Sequence, residues 1–586
     1  MSLPTRLRPL ALGLLMAALA APLGLQAQSA GGPAATGTNA SAEPVGRVIV
    51  RFKANAQSVR AQALSARTDV ATARQIARVR AEGLGGRTGL ALRAHHSLDE
   101  RTQVVLAKGL SSEALAARLG KDAEVELVAV DQRRHATAVP NDPLYPQVNQ
   151  AQGSNGHGQW YLMAPGKDLV SSINAEGAWD LSTGSSSVVV AVLDTGVRYD
   201  HPDLAGKLLP GYDMIGASTN DLDALAVAND GNRGDSDASD PGDWVSDADI
   251  ASGLISGCTY DDVGNSSWHG TKVSGLIGAA SNNGVGIAGV SWGSRILPVR
   301  VLGKCGGYDS DIMLGMRWAA GITAPGVPAN PTPARVLNMS LGGSGSCSDG
   351  SSIAKLYTET VAEVRAKGAV IVAAAGNSAG QAVGLPANCS GVIAVGGLRH
   401  VGTKTGFSSV GPEVTLSAPG GNCVLAEGPC LYPMLTTSNP GKQGPEAAVN
   451  AYTNNEVTIG TSFSAPLVSG SVALLLSVRP DLTPDQVRQT LVSTVRPFPT
   501  TRGGSSDDAS PAACKAPDGT RQYECYCTTS TCGAGMLDIQ AALKSVAPTP
   551  SSSGGSGGGG GGAMSPAWLL ALLASVPLLR RARRSR

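Results

Sequence analysis

Short apolar runs recur beyond Val139: SVVVAVLD, SRILPVRVL, ARVLNMSL, GAVIVAAAGN and GVIAVGG, with helical segments between them. A strand with one wet face alternates apolar and polar residues. Uninterrupted apolar runs joined through helices instead require a parallel sheet covered on both faces, so residues 139–546 are expected to form an α/β domain. In such sheets functional groups gather at the carboxyl ends of the strands. Upstream, from Val45 to about Ala138, the order is RVIVRFK, an Ala/Arg-rich helical stretch near Ala61 to Glu82, TQVVLAKG, SSEALAARLG and VELVAVDQRR. This β-α-β-α-β pattern predicts a small ferredoxin-like α+β unit within residues 28–138.

With 586 residues the chain is too long for one ordinary domain, and its 46 basic against 45 acidic side chains give no reason to expect nucleic acid as partner. Residues 1–27 carry Arg6 and Arg8, the apolar run Pro9 to Leu25 and a small residue at Ala27, the order of a secretory signal peptide. Export agrees with the even count of 10 cysteines, which in an oxidising compartment implies disulfides. At the other end a Gly/Ser-rich linker, 547–562, precedes an apolar segment with a basic end, 563–586. This tail resembles the C-terminal sorting signals of Gram-negative secreted proteins, which implies transient membrane anchoring and a rhomboid-type protease as partner. A permanent transmembrane anchor is the alternative reading.

The strand rule locates the chemistry. VVVAVLDTGV ends its strand on Asp194, SSWHGTKVSGLIGAA places His269 at the mouth of a small-residue helix, and IGTSFSAPLVSG places Ser462 at the start of another. Serine is a weak nucleophile until a base takes its proton; imidazole suits that task near neutrality, and a carboxylate holds its tautomer. Taken singly, each has a plain reading: a turn acid, a surface histidine, a helix cap. Together, VAVLDTGVRYDHPDL, HGTKVSGLIGAA and GTSFSAPLVSG resemble the three active-site segments of subtilisin-like serine proteases. Pro466 is expected in the first helical turn, where its missing N–H costs nothing.

The resemblance covers roughly Val139 to Leu543 and implies a subtilisin-like fold hydrolysing polypeptide substrates, with Asp194, His269 and Ser462 as triad. AVIVAAAGNSAG is similar to the segment whose asparagine, here Asn377, completes the oxyanion hole. Ser340, Leu341, Gly342, Ala374, Gly376 and Gly384 would line the substrate cleft, and a glycine at 384 implies preference for a bulky apolar residue before the cut. The unit 28–138 resembles a propeptide that assists folding and blocks the site until the chain cuts itself near Ala138. HGTKVSG departs from the family by carrying Lys272 and Ser274 where a second histidine and an alanine are common. A monomer and no organic cofactor are expected.

Cysteine positions suggest bridges Cys347–Cys389, Cys258–Cys305 and Cys423–Cys430, while Cys514, Cys525, Cys527 and Cys532 leave three pairings open. Zinc at CYC lacks suitably spaced histidines. In NDGNRGDSDASDPGDW the carboxylates Asp230, Asp235, Asp237, Asp240 and Asp243 suit calcium and resemble calcium loops of bacterial relatives, the alternative being a solvated acidic loop. Two further functions compete: a binding protein on a degenerate scaffold, which would have lost a triad or oxyanion residue, and an α/β-hydrolase esterase. The esterase requires a Gly-x-Ser-x-Gly elbow before its acid and histidine, and the chain order here is the reverse.

Overall fold

The computed structural model describes residues 45–65, 67–131, 139–145, 158–217, 222–426, 430, 432–449, 451–453, 458–501 and 511–547. The signal peptide, the cleavage junction near Ala138 and the segment 563–586 lie outside the described residues. The chain divides into two compact units, one within 45–131 and one within 139–547.

The first unit is a four-stranded sheet of β1 (Val45–Phe52), β2 (Leu92–Ser97), β3 (Thr102–Lys108) and β4 (Val125–Val130) in the order β2-β3-β1-β4, every pair antiparallel. The long helix is Val70–Thr88 rather than 61–82, because Asp69 accepts from Thr72 N–H (3.0 Å) and so sets its start. Gly89, at φ 69°, ends it. One strand was not expected, β2 in LRAHHS, whose alternation of half-buried and exposed positions is that of an edge strand with little apolar content.

The second unit holds β5 (Val189–Asp194), β6 (Tyr212–Asp213), β7 (Arg295–Arg300), β8 (Val336–Met339), β9 (Val370–Ala374), β10 (Val392–Leu398) and β11 (Val414–Pro419). They form one parallel sheet in the order β11-β10-β9-β8-β5-β7-β6. Residues of a strand point alternately to its two faces, and both are buried: Val190 and Val192 enter one apolar core, Ala191 and Leu193 the other. That is why the strand sequences read as unbroken apolar runs. The helix Thr461–Val478 lies in the first core, and its buried Ser464, Ser469 and Ser471 hydroxyls are hydrogen-bonded among apolar residues that face every side. It is also the one described helix long and apolar enough to cross a membrane, and its burial inside the protein identifies it as a core helix.

All 10 cysteines are paired. The three suggested bridges are present, and the open set resolves to Cys514–Cys525 and Cys527–Cys532. Cys258–Cys305 and Cys347–Cys389 span 47 and 42 residues. Closing loops of that length removes about 4 kcal/mol of unfolded-chain entropy each.

Candidate active site

Strand β5 delivers Asp194 into the interior, where its side chain is 1% exposed. An unpartnered carboxylate there would cost several kcal/mol. Asp194 Oδ1 instead accepts from Thr195 N–H at 2.8 Å and from His269 Nδ1–H at 2.7 Å. With the proton held on Nδ1, the lone pair of His269 lies on Nε2. Burial pushes the imidazole pKa down, but the charge and the hydrogen bond of Asp194 outweigh it and leave the pKa above its ordinary value.

Backbone features bring the two together. Trp268 takes a left-handed conformation, φ 53°, and is anchored by its indole N–H donating to Gly441 O at 2.8 Å. This turns the chain abruptly into the helix His269–Gly278. A Cβ at Gly270 would come within 2.1 Å of Gly196 O and 3.1 Å of the Asp194 Cβ, so any side chain there would push the histidine's helix off the aspartate's strand.

Ser462 stands in the first turn of its helix, whose N–H groups have no intrahelical acceptor. The ring of Phe463, the next residue, lies 5.6 Å from that of His269, which puts the serine's turn beside the imidazole. Asn377 joins them from β9: its Oδ1 accepts from Thr461 N–H (3.0 Å) and Thr461 Oγ1–H (2.9 Å). Because the backbone N–H can only donate, the amide oxygen is the bound end, and Nδ2 faces the gap at Gly460, where a Cβ would meet it at 3.3 Å.

Pro466 is not in the first turn, since the helix begins at Thr461. Its missing N–H would leave the carbonyl of Ser462 without its intrahelical donor. Ser340 Oγ–H fills the place, donating to Ser462 O at 2.7 Å, and Asn338 Nδ2 in turn donates to Ser340 Oγ at 2.9 Å. The proline thus ties the serine's turn to the end of β8, a coupling invisible in the sequence.

Two adjoining cavities carry all six expected cleft residues. One of about 440 Å³ is lined by His269, Ser340, Leu341 and Gly342. The next, about 510 Å³, is lined by Gly342, Ala374, Gly376, Asn377 and Gly384. At Gly384 a Cβ would lie 1.9 Å from Gly343 O. The residue is therefore small because two walls meet there, joined by Gly343 N–H donating to Leu385 O at 2.9 Å. Cys347–Cys389 staples the same walls.

The acidic loop does not converge. Asp230 Oδ2 is paired with Arg300 (2.9 Å), Asp240 Oδ2 accepts from Thr195 Oγ1–H (2.7 Å), and Asp243 accepts from Ser267 N–H and Ser267 Oγ–H at 2.6 Å each. Asp235 and Asp237 accept from the N–H two residues on, of Asp237 (2.7 Å) and Ser239 (2.9 Å), as do Asp230 and Asp240 toward Asn232 (3.0 Å) and Gly242 (2.9 Å). Spaced acids of this kind serve turns as readily as ions. Here Asp240 and Asp243 brace the turns beside Asp194 and His269, since Thr195 Oγ1 accepts from Gly270 N–H at 3.0 Å and Ser267 Oγ accepts from His269 N–H at 3.2 Å.

Oxygens do gather where the sequence pattern did not point. Asp142, 2% exposed, accepts from Asn282 and Asn283 N–H at 2.7 and 3.1 Å, and Asn283 Nδ2 donates to Asp203, which is fully buried, at 3.3 Å. Burial and, less strongly, the neighbouring Asp142 charge push the Asp203 carboxyl up to about 6. Two buried acids facing one asparagine loop suit a hard cation. No local pattern reveals the set, because Asp142 and Asn283 lie 141 residues apart.

The Subtilase family model matches residues 185–520. The chain is 40% identical over 390 residues to an extracellular protease of Xanthomonas campestris pv. campestris and 38% identical over 389 residues to an extracellular basic protease of Dichelobacter nodosus. These matches take in 66% and 65% of this chain but only 58% and 56% of the relatives, so the chain spans less than two thirds of their length. A solved structure of a protease from Pseudoalteromonas arctica aligns over 70% of this chain and 100% of its own at 38% identity, with a TM-score of 0.53. A parallel sheet that delivers Asp194, a helix mouth that delivers His269 and a match over more than half of the chain agree: the protein is a member of the subtilase family.

Proposed function

We propose that the protein is a secreted serine endopeptidase that cuts polypeptides through an acyl-enzyme formed on Ser462. The observation that carries this reading is the His269–Asp194 hydrogen bond beside the helix whose first turn holds Ser462. Ser462 Oγ attacks the scissile carbonyl while His269 Nε2 takes its proton, and Asp194 stabilises the imidazolium. Asn377 Nδ2–H and the Ser462 N–H receive the oxyanion, and His269 then passes the proton to the leaving amine before water repeats the sequence. A fluorophosphonate probe should label the protein on Ser462, read by peptide mass mapping. Labelling elsewhere, or none, would refute the assignment.

Residues 28–138 act as a ferredoxin-like propeptide that the chain removes near Ala138, and the cleft favours bulky hydrophobic residues before the cut. The relatives' description as extracellular, from two Gram-negative species, supports export by segment 1–27. Under this reading the enzyme is a monomer, and a rhomboid-type protease releases the tail 563–586.

Structural calcium fits the buried carboxylates of Asp142 and Asp203 better than the dispersed set Asp230, Asp235, Asp237, Asp240 and Asp243. An ion there would relieve the repulsion between two buried carboxylates. Chelation is expected to lower the Tm by about 5 °C or more. Asp203→Asn should start from the lower Tm and show little response, whereas an unchanged wild-type Tm in chelator would remove the ion from this site.

A further inference from the structure

Beyond the two cavities already described lies a third, and the three follow one another. The first two share Gly342, Gly343 and Leu385; the second and third share Asn377, Ser378 and Gln381. The third, about 470 Å³, contains none of the residues from Ser340 to Gly345, and its walls include Phe407, Ile459, Gly460 and Arg521. A peptide whose acyl half lies along Ser340 to Gly343, with its scissile carbonyl at Ser462 and Asn377, must carry its leaving-group half past Gly460 into this space.

Arg521 is the one charged side chain among the described residues that line it. It is exposed and makes no ion pair among the described residues. Its backbone is held on both sides to the segment that follows Asn377. Gln381 Nε2 donates to Thr520 O at 2.6 Å, Gln522 N–H donates to Ala379 O at 2.7 Å, and Gln522 Nε2 donates to Gly380 O at 3.2 Å. Gly380 is what permits this fit, since a Cβ there would come within 2.5 Å of the Gln522 Cβ. The loop is closed by Cys514–Cys525 and pinned by the buried pair Arg399–Glu524. An insertion stapled in this way presents its cation at a set place instead of trailing it in solvent.

Resting on the peptidase reading above, the geometry points to Arg521 as a specificity-determining residue of the leaving-group side. It selects peptides that carry Asp or Glu within the first two positions after the cut. An apolar wall at Phe407 and Ile459 receives the stem of such a side chain, and the guanidinium pairs with its carboxylate.

The test uses the processed enzyme and quenched fluorescent peptides identical but for Glu, Ala or Lys at the first or second position after the cut. For the wild type, kcat/KM should favour Glu over Lys by about five-fold at low salt, and the ratio should shrink on raising salt. In Arg521→Ala the ratio should approach one, and in Arg521→Glu it should invert. Arg521→Lys should keep the direction of preference, which a purely structural role of the loop would not predict. A wild-type ratio of one, or a ratio unchanged in Arg521→Ala and Arg521→Glu, overturns the inference while leaving the peptidase intact. Failure of the wild type to cut any of the peptides refutes the peptidase reading, and the inference with it.

Discussion

Ser462→Ala is expected to lower kcat by about 10⁶-fold and to leave the chain uncut near Ala138. The hydroxyl is the only group at that position able to form the acyl bond, while the cleft and oxyanion donors remain in place to bind substrate. Folding should be spared: the serine is half-buried, and the structural bond at this residue runs from Ser340 Oγ to its carbonyl, which alanine retains. Intact mass and N-terminal sequencing of the product, wild type beside variant, decide the matter. A wild type beginning near residue 139 and a variant that keeps residues 28–138 identify a self-activating peptidase. Equal processing of both would assign the cut to another enzyme.

Asp194→Asn should cost about 10⁴-fold in kcat. The amide has the shape of the carboxylate but no charge with which to stabilise the imidazolium formed in the transition state. It should also change the pH profile in a direction that can be worked out. In the wild type the pKa of His269 lies above its ordinary value because Asp194 outweighs burial. Activity needs the neutral imidazole, so it should rise through an acid limb centred above the ordinary histidine pKa. Without the carboxylate, burial and the Lys272 charge remain, opposed only by the weaker pull of Asp243, and the residual activity of the variant should show its acid limb at lower pH. A limb that stays in place would mean that Asp194 does not set the charge state of His269.

Much of this site could be read from local sequence because its chemistry is carried by short motifs at strand and helix ends. Asp194 closes an apolar strand, His269 and Ser462 open small-residue helices, and Asn377 follows another strand. The apolar runs, alternating with helical segments, likewise pointed to a covered parallel sheet, the arrangement in which helices bury both faces of each strand. The edge strand β2 escaped notice for the converse reason, having little apolar content to mark it.

Where motifs with two uses appear, the sequence is ambiguous. Aspartates spaced by two or three residues make Asx turns and calcium loops alike, and only the structure shows that Asp230 answers Arg300 while Asp240 and Asp243 hold Thr195 and Ser267. Pro466 lies beyond the expected first turn because a helix start is defined by capping geometry, which a residue pattern locates only to within a few positions.

The sequence by itself determined the fold class and singled out Asp194, His269, Ser462 and Asn377 as the candidate site, because each rests on residue type and on neighbours within a few positions. The tertiary structure alone decided that Asp194 meets His269 across 75 residues, that Thr461 orients Asn377 across 84, that Ser340 compensates a proline across 122, and that Arg521 lines a cavity with Asn377 and Gly460. Such contacts are set by how strands and helices pack, and packing joins positions that no local pattern relates.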